Sequence, residues 1–305
     1  MDRFDALQAF VRVVETGSFT RAAESLRISR TSATQLVQQL EQRLRVRLLN
    51  RTTRRVALTS DGAAFFDHAV RLLADLAEAE ASVTGAAATP GGRLRVDVPS
   101  PFARLVLVPA LPDFHARYPD VVLELGVSDR VVDLVDDNVD CVVRGGALAD
   151  GSLVARRLVD LGMGAFAAPA YLARAGVPGH PAQLSAGGPH RVVGFQSMRR
   201  GVPVLPLGMQ RGGERVQVRA RHVLAVDDGN AYVAAGVAGL GVLTLPTYIA
   251  RAHVAAGELV QVLADWRIDP LPMSVAWRPN RHVSARLRVF IDWLVALVEA
   301  QRLDA

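Results

Sequence analysis

The stretch ISRTSATQLVQQLEQRL, residues 28–44, holds the side chains best suited to chemistry with another molecule. On a helix, Ala33, Leu36, Val37, Leu40 and Leu44 recur at the spacing of a buried stripe, and Arg30, Thr31, Thr34, Gln35 and Gln38 fall on the opposite side. Hydroxyls, amides and a guanidinium can bond base edges and phosphate oxygens. The alternative, a face turned only to water, is more often built of Glu and Lys. Catalytic chemistry finds no comparable set. The seven histidines (68, 115, 180, 190, 222, 253 and 282) show neither HxH nor HExxH spacing, and no GxSxG, phosphate-loop or Cys–His signature occurs. The single Cys141, among valines, reads as core and leaves no internal disulfide. No metal, cofactor or enzymatic activity is expected.

The neighbouring sequence supplies the elements that would position this face. Phe4, Leu7, Phe10, Val11 and Val14 set a first helix that Gly17 ends; Ser18 caps a second helix through Leu26, and Ser29 caps the third. Two short helices joined by a three-residue turn are the helix-turn-helix plan, whose second helix enters the major groove. The run VRLLNRTTRRVALT that follows gives two β-prone segments around a turn at 51–55. This is a wing, with Arg51, Arg54 and Arg55 placed for phosphates or the minor groove. From a cap at Thr59 a helical pattern runs to Val83, with Phe66, Ala69, Leu73, Leu76 and Val83 on one seam. So long a helix has no core of its own, and pairing with a second copy is expected to bury the seam. TGAAATPGG, residues 84–92, reads as a linker.

Composition agrees. With 305 residues, half of them hydrophobic, the chain can bury a sizeable core in two or three domains. Formal charge is +5, and every one of the 35 basic residues is Arg. Charge is uneven: residues 21–55 carry nine arginines against Glu24 and Glu41, whereas residues 61–80 carry five acids against Arg71. A polyanionic partner is implied for the first stretch. Asp2, Arg3 and Asp5 argue against a secretory signal, and one cysteine fits a reducing compartment, so a cytoplasmic location is expected. Residues 231–250 are uncharged over a membrane-spanning length, but Gly236, Gly239, Gly241 and Pro246 break the run, and no membrane partner is expected.

Residues 4–62, through AFVRVVETGSFTRAAESL, the capped third helix and LEQRLRVRLLNRTTRRVALTSDG, resemble the winged helix-turn-helix of LysR-type transcriptional regulators. The resemblance implies an α/β protein with an α-rich head. Its parts would be a DNA-binding domain over 1–60, a dimerising linker helix over 61–84, a hinge over 85–92 and an effector domain over 93–305. The last would be two-lobed, like type 2 periplasmic binding proteins, with one lobe from 93–161 and 269–305 and the other from 162–268. It further implies a homodimer through the linker helix, a homotetramer on double-stranded DNA, RNA polymerase as a further partner, and response to a small metabolite. By position, Arg30, Thr31, Thr34 and Gln35 fall where the family contacts bases. Arg45 departs from the family's usual Gly; a positive φ there would cost about 1 kcal/mol.

The remaining residues read independently as α/β. Arg93–Val98, Val121–Val127, Cys141–Arg144, Met163–Ala168, Arg191–Phe195 and Val223–Val226 are expected strands; 101–117, Val131–Asp137, a segment from Pro169 and one from Ser284 are expected helices, with parallel strand pairs. Ligands in open α/β sheets bind beyond the carboxyl ends of strands. That rule nominates Ser100, capping a helix opened by Pro101, with Ser128 and Arg144 at two further strand ends. Across the cleft it nominates Phe195, Gln196 and Asp228. Ser100, Ser128 and Arg144 together suggest an anion seat, and so a small carboxylate effector held between the lobes. An ordinary cap at Ser100, and an ion pair between Arg144 and an acid within 120–150, are the alternatives. Two further functions stay open: a two-lobed enzyme or solute-binding protein with a DNA-binding head, and an architectural DNA binder with a vestigial cleft.

Overall fold

The computed structural model describes residues 2–51, 56–84, 90–129, 134, 139–146, 152–195, 207–220, 222–279 and 283–304. It divides into two compact units, Met1–Thr89 and Pro90–Ala305.

The first unit contains α1 (Arg3–Thr16), α2 (Phe19–Leu26), α3 (Arg30–Leu44), β1 (Leu49–Arg51), β2 (Val56–Leu58) and α4 (Ser60–Thr84). Asp2, Ser18 and Ser29 accept from the amides of Phe4, Arg21 and Ser32, satisfying donors that a helix start leaves unpaired. Gly17 ends α1 in the left-handed conformation; Arg27 and Arg45 adopt the same conformation at the ends of α2 and α3, with φ 55° and 56°. Phe10 is fully buried, with the rings of Phe65 and Phe66 at 5.7 and 6.3 Å. Each such side chain contributes roughly 1.5–3 kcal/mol by leaving water.

This core corrects the expectation for the long helix. Phe66, Ala69 and Leu73 pack against the head's own cluster around Phe10, Val13 and Val37, Ala69 fully buried and Phe66 and Leu73 in part, so the helix has a core of its own before any second copy meets it. An apolar stripe specifies that something covers it, not which surface does. Leu72, 51% exposed, is a large apolar side chain that α4 leaves in solvent.

In the second unit β3 (Gly92–Val98) leads into a helix of three parts: α5 (Ser100–Phe102), a π turn (Ala103–Leu107) and α6 (Val108–Arg117). β4 (Val121–Val127), β5 (Cys141–Gly145) and β6 (Val154–Leu161) follow. The chain then forms β7 (Met163–Ala167), α7 (Pro169–Ala175), β8 (Val192–Phe195), β9 (Leu207–Arg211), β10 (Glu214–Val218), β11 (His222–Val226), α8 (Gly229–Val237), β12 (Leu243–Pro246), α9 (Thr247–Ala255), β13 (Val260–Val262) and β14 (Arg267–Ile268). It returns with β15 (Leu271–Trp277) and ends on α10 (Ala285–Gln301), capped by Ser284.

Five strands make one lobe's sheet in the order β4–β3–β5–β15–β6. The other lobe is built on β12–β7–β13, the pair β11–β8, and β10–β9–β14. The expected parallel pairing holds for β3 with β4 and β5 and for β8 with β11. It fails for β7, antiparallel to β12 and β13; β15, a strand that was not expected, returns from the far end of the chain and runs antiparallel to β5 and β6. Alternation marks a strand but not its direction. The helix expected over Val131–Asp137 lies outside the described residues, apart from Leu134, which is buried. Cys141 is fully buried, and burial pushes its thiol well above the usual range. Leu105 and Tyr248 each pack on the apolar clusters of both lobes.

Candidate nucleic-acid interface and effector cleft

α3 buries Ala33, Leu36, Val37 and Leu40 and leaves Arg30, Thr31, Gln35 and Gln38 exposed. Thr34 is half-buried, and its hydroxyl donates to the Arg30 carbonyl at 2.9 Å, which keeps its lone pairs available as acceptors. Arg21, Arg27, Arg43, Arg45 and Arg47 are exposed around the same helix. The wing is an antiparallel hairpin, with Leu49 opposite Leu58 and Arg51 opposite Val56. Arg51 belongs to β1 by its backbone; its side chain, and Arg54 and Arg55 altogether, lie outside the described residues.

Two anchors hold the wing: Glu41, which sequence reasoning missed, and Thr59, expected only as a cap. Glu41, on the C-terminal half of α3, accepts from the amides of Leu48 at 2.9 Å and Leu49 at 3.0 Å. Thr59 donates to the Arg47 carbonyl at 2.7 Å and accepts from the Gly62 amide at 2.9 Å, so the start of α4 is tied to the entry of the wing. Gly62 lies so close to the wing that a Cβ there would stand 2.0 Å from the Leu48 carbonyl oxygen. One of only two acids in a strongly basic stretch, Glu41 carried that contrast as its available sign.

In the second unit two of the nominated residues, Ser100 and Asp228, meet at two helix starts facing each other. The backbone cap of the first is Pro99 rather than Ser100, so Ser100 is the first helical residue and its amide is a spare donor. The second start is α8, capped by Asp228, whose Oδ1 accepts from Ala231 at 2.7 Å. Between them sits Asp129. Its Oδ1 accepts from the Ser100 amide at 3.1 Å, and its Oδ2 accepts from the Ser100 hydroxyl and the Gly229 amide, both at 2.7 Å. Ser100 Oγ also lies 2.9 Å from Asp228 Oδ2, so one hydroxyl proton faces two carboxylates. The contact is tight: a Cβ on Gly229 would meet Pro101 Cγ at 2.4 Å.

The anion seat expected of Ser100, Ser128 and Arg144 is thereby corrected, because the three do not act together. The donors expected to receive a ligand carboxylate hold the carboxylate of Asp129, which the sequence reading passed over beside Ser128. Arg144 is half-buried in an ion pair with the buried Asp97, an acid on β3 outside the 120–150 stretch, and also donates to the Val143 carbonyl at 2.7 Å. Ser128 turns its hydroxyl to Asp97, at 3.4 Å. Neighbouring strands place both near Asp97, because Asp97 stands beside Gly126 on β4 and Val142 on β5.

Phe195, 40% exposed, stands edge-on to Tyr232 of α8 at 5.6 Å; Gln196 lies outside the described residues. Burial pushes the Tyr248 phenol up, and the negative charge of Asp129 adds to the effect. The side-chain oxygen of Asn230, next to Gly229, is buried with no hydrogen-bond partner among the described residues. No group of three or more His, Cys, Asp or Glu among the described residues could hold a metal ion. Nor is any helix of the described residues long and apolar enough to cross a membrane.

Comparison with known proteins gives this geometry a lineage. Residues 4–63 match the bacterial regulatory helix-turn-helix protein family of the LysR type, and residues 87–299 match the LysR substrate binding domain. An HTH-type transcriptional repressor of Pseudomonas aeruginosa (strain UCBPP-PA14) is 42% identical over 297 residues, covering 97% of this chain and 92% of the relative. The structure of CrgA, a LysR-type regulator from Neisseria meningitidis, is similar with a TM-score of 0.60 and 33% identity, over 96% of this chain and 98% of CrgA. The full-length structure of AphB, a Vibrio cholerae virulence activator, is similar with a TM-score of 0.58 and 30% identity, over 97% of this chain and 99% of AphB. These relatives regulate transcription and are not enzymes. The chain belongs to the LysR family of transcriptional regulators, with a helix-turn-helix DNA-binding head and a two-lobed effector domain.

Proposed function

We propose that α3 reads operator bases with Arg30, Thr31, Thr34, Gln35 and Gln38, that the wing arginines 51, 54 and 55 neutralise phosphates beside it, and that a small metabolite bound between the lobes sets the outcome. The carrying observation is the division of α3 into a buried apolar stripe and an exposed face of amides, hydroxyls and arginine. The cleft is supported as the ligand site by Ser100, Asp228 and Phe195, which gather where the two lobes meet, and by the unpaired buried oxygen of Asn230. Arg144 serves the cleft wall by neutralising Asp97. Two copies joined through the linker helices set two recognition helices on one face of the DNA, and two such dimers form the tetramer; the protein works in the cytoplasm, where RNA polymerase shares its promoter.

Footprinting the purified protein on the DNA upstream of its own gene, with and without a panel of metabolites, tests this reading. Protection of a discrete site that shifts with one metabolite is expected. Uniform protection of all sequences, unchanged by any compound, would overturn it in favour of an architectural DNA binder.

A further inference from the structure

Asp129 does something that an ordinary surface acid does not. It sits at the end of β4 in one lobe, yet one of its oxygens accepts from the first amide of α8 in the other, at 2.7 Å. The same carboxylate takes the amide and the hydroxyl of Ser100. Both helix starts carry partial positive charge, so a carboxylate between them is favoured by two dipoles and by three hydrogen-bond donors. The arrangement also carries an opposing load. Asp228 stands across the same hydroxyl, 2.9 Å from Ser100 Oγ, and the two acids share a single hydroxyl proton. Attraction to the helix starts holds Asp129 in place, and repulsion from Asp228 lowers the cost of removing it.

Resting on the reading that the cleft is the effector site, we propose that Asp129 is a built-in latch: an internal carboxylate that joins the lobes in the unliganded protein and that an anionic effector displaces. Displacement exchanges one carboxylate for another on the same three donors. Asp129 then leaves both helix starts, so occupancy of the seat is converted into loss of the contact that Asp129 makes between the lobes. A ligand that only filled space beside Asp129 would have no differential interaction with latched and unlatched forms and would shift neither.

Chemical rescue in the full-length protein tests the latch, with formate and acetate as probes and chloride at matched ionic strength as the reference. Asp129→Ala opens a seat the size of a small carboxylate. Its melting temperature is expected to fall by about 5 °C, and formate is expected to restore at least half of that loss saturably. Wild type is expected to gain less than about 1 °C over chloride, and Ser100→Ala in the Asp129→Ala background should abolish the rescue. Asp129→Asn keeps the shape, fills the seat and should show a loss without rescue; it serves where the alanine variant does not fold. An unchanged melting temperature in both variants, or equal stabilisation of wild type and Asp129→Ala by formate, overturns the latch.

Footprints on the gene's own upstream DNA separate this outcome from that of the effector reading. A metabolite that shifts the wild-type footprint, together with absent rescue, removes the latch and leaves the effector site. Rescue with a footprint that neither formate, Asp129→Ala nor any metabolite alters makes Asp129 a static joint and removes its regulatory role.

Discussion

Glu41 accepts the backbone amide of Leu48 at 2.9 Å, and the same oxygen takes Leu49 at 3.0 Å, so one carboxylate of the recognition helix holds the first strand of the wing. Removing it leaves two partly buried donors without that acceptor, at about 1–3 kcal/mol. Glu41→Ala is expected to lower the stability of the head by about 2 kcal/mol, and Glu41→Gln, which keeps an acceptor oxygen, by less. Denaturant unfolding of the full chain measures both; equal stability of Glu41→Ala and wild type would separate the wing from this anchor.

Specific and random DNA should respond differently to changes on α3. Thr34→Ala with Gln35→Ala is expected to reduce the preference for operator over random sequence at least tenfold, since a good base contact is worth about 1–3 kcal/mol of discrimination. Arg54→Ala with Arg55→Ala should weaken binding to both and flatten the salt dependence by about 1–2 units of slope. Fluorescence anisotropy across a salt series distinguishes them. Equal losses on both DNAs in the first variant would take base reading away from this face.

Arg45 closes α3 with φ 56°, where its amide bonds the Gln42 carbonyl and that of Val46 bonds Glu41, both at 3.2 Å. A side chain in this conformation costs about 1–2 kcal/mol, partly offset by the greater chain freedom that glycine loses on folding. Arg45→Gly is therefore expected to stabilise the head by about 0.5–1 kcal/mol. Arg45→Ala, which retains a Cβ, should not. Paired melting curves check the difference, and identical curves for the two variants would show that backbone strain is not what Arg45 contributes.

Adjacent leucines of α4 should fail in different ways. Leu73 packs on the core of its own head, whereas Leu72 is half-exposed. Leu73→Asp is expected to destabilise the head itself, and Leu72→Asp to leave its melting within about 0.5 kcal/mol of wild type while raising the monomer fraction in light scattering. A Leu72→Asp protein that stays fully dimeric would place the dimer contact on another face.

Mild acid should weaken the effector unit through His190 and His222. Burial lowers the pKa of His190 and of His222, so folding favours their neutral forms. Stability from this source is fully present above the unfolded value of about 6.5 and is lost as pH falls through the lower folded values. Asp113, held down chiefly by the Trp293 indole with Arg117, and Asp265, held down by Arg211, lose their contributions only below the ordinary carboxylate value, in a separate window. The melting temperature should fall between pH 7 and 5, and less steeply in His190→Gln. A melting temperature that rises over this range would remove burial of these histidines as the controlling factor.

Local chemistry determined much of this protein in advance. Ser18, Ser29 and Thr59 start their helices because a hydroxyl at that position satisfies a bare amide whatever lies around it, and Gly17 ends α1 because glycine tolerates the left-handed turn. The two faces of α3 follow from spacing alone, as do β3 to β5 and α10. Partner choice was decided only in three dimensions. The stripe through Phe66 and Leu73 offered itself to a second copy, and the fold packs part of it on its own head. Arg144 could have met any of several acids, and the parallel neighbour β3 brings it Asp97. Ser100 showed its donors in the sequence, but the acceptor that reaches them, Asp129, is 29 residues away, and the amide completing the seat, Gly229, lies a further 100 residues on. Hydrogen bonding at a cap is settled within four residues of chain, whereas an interlobe contact depends on where two sheets place their ends.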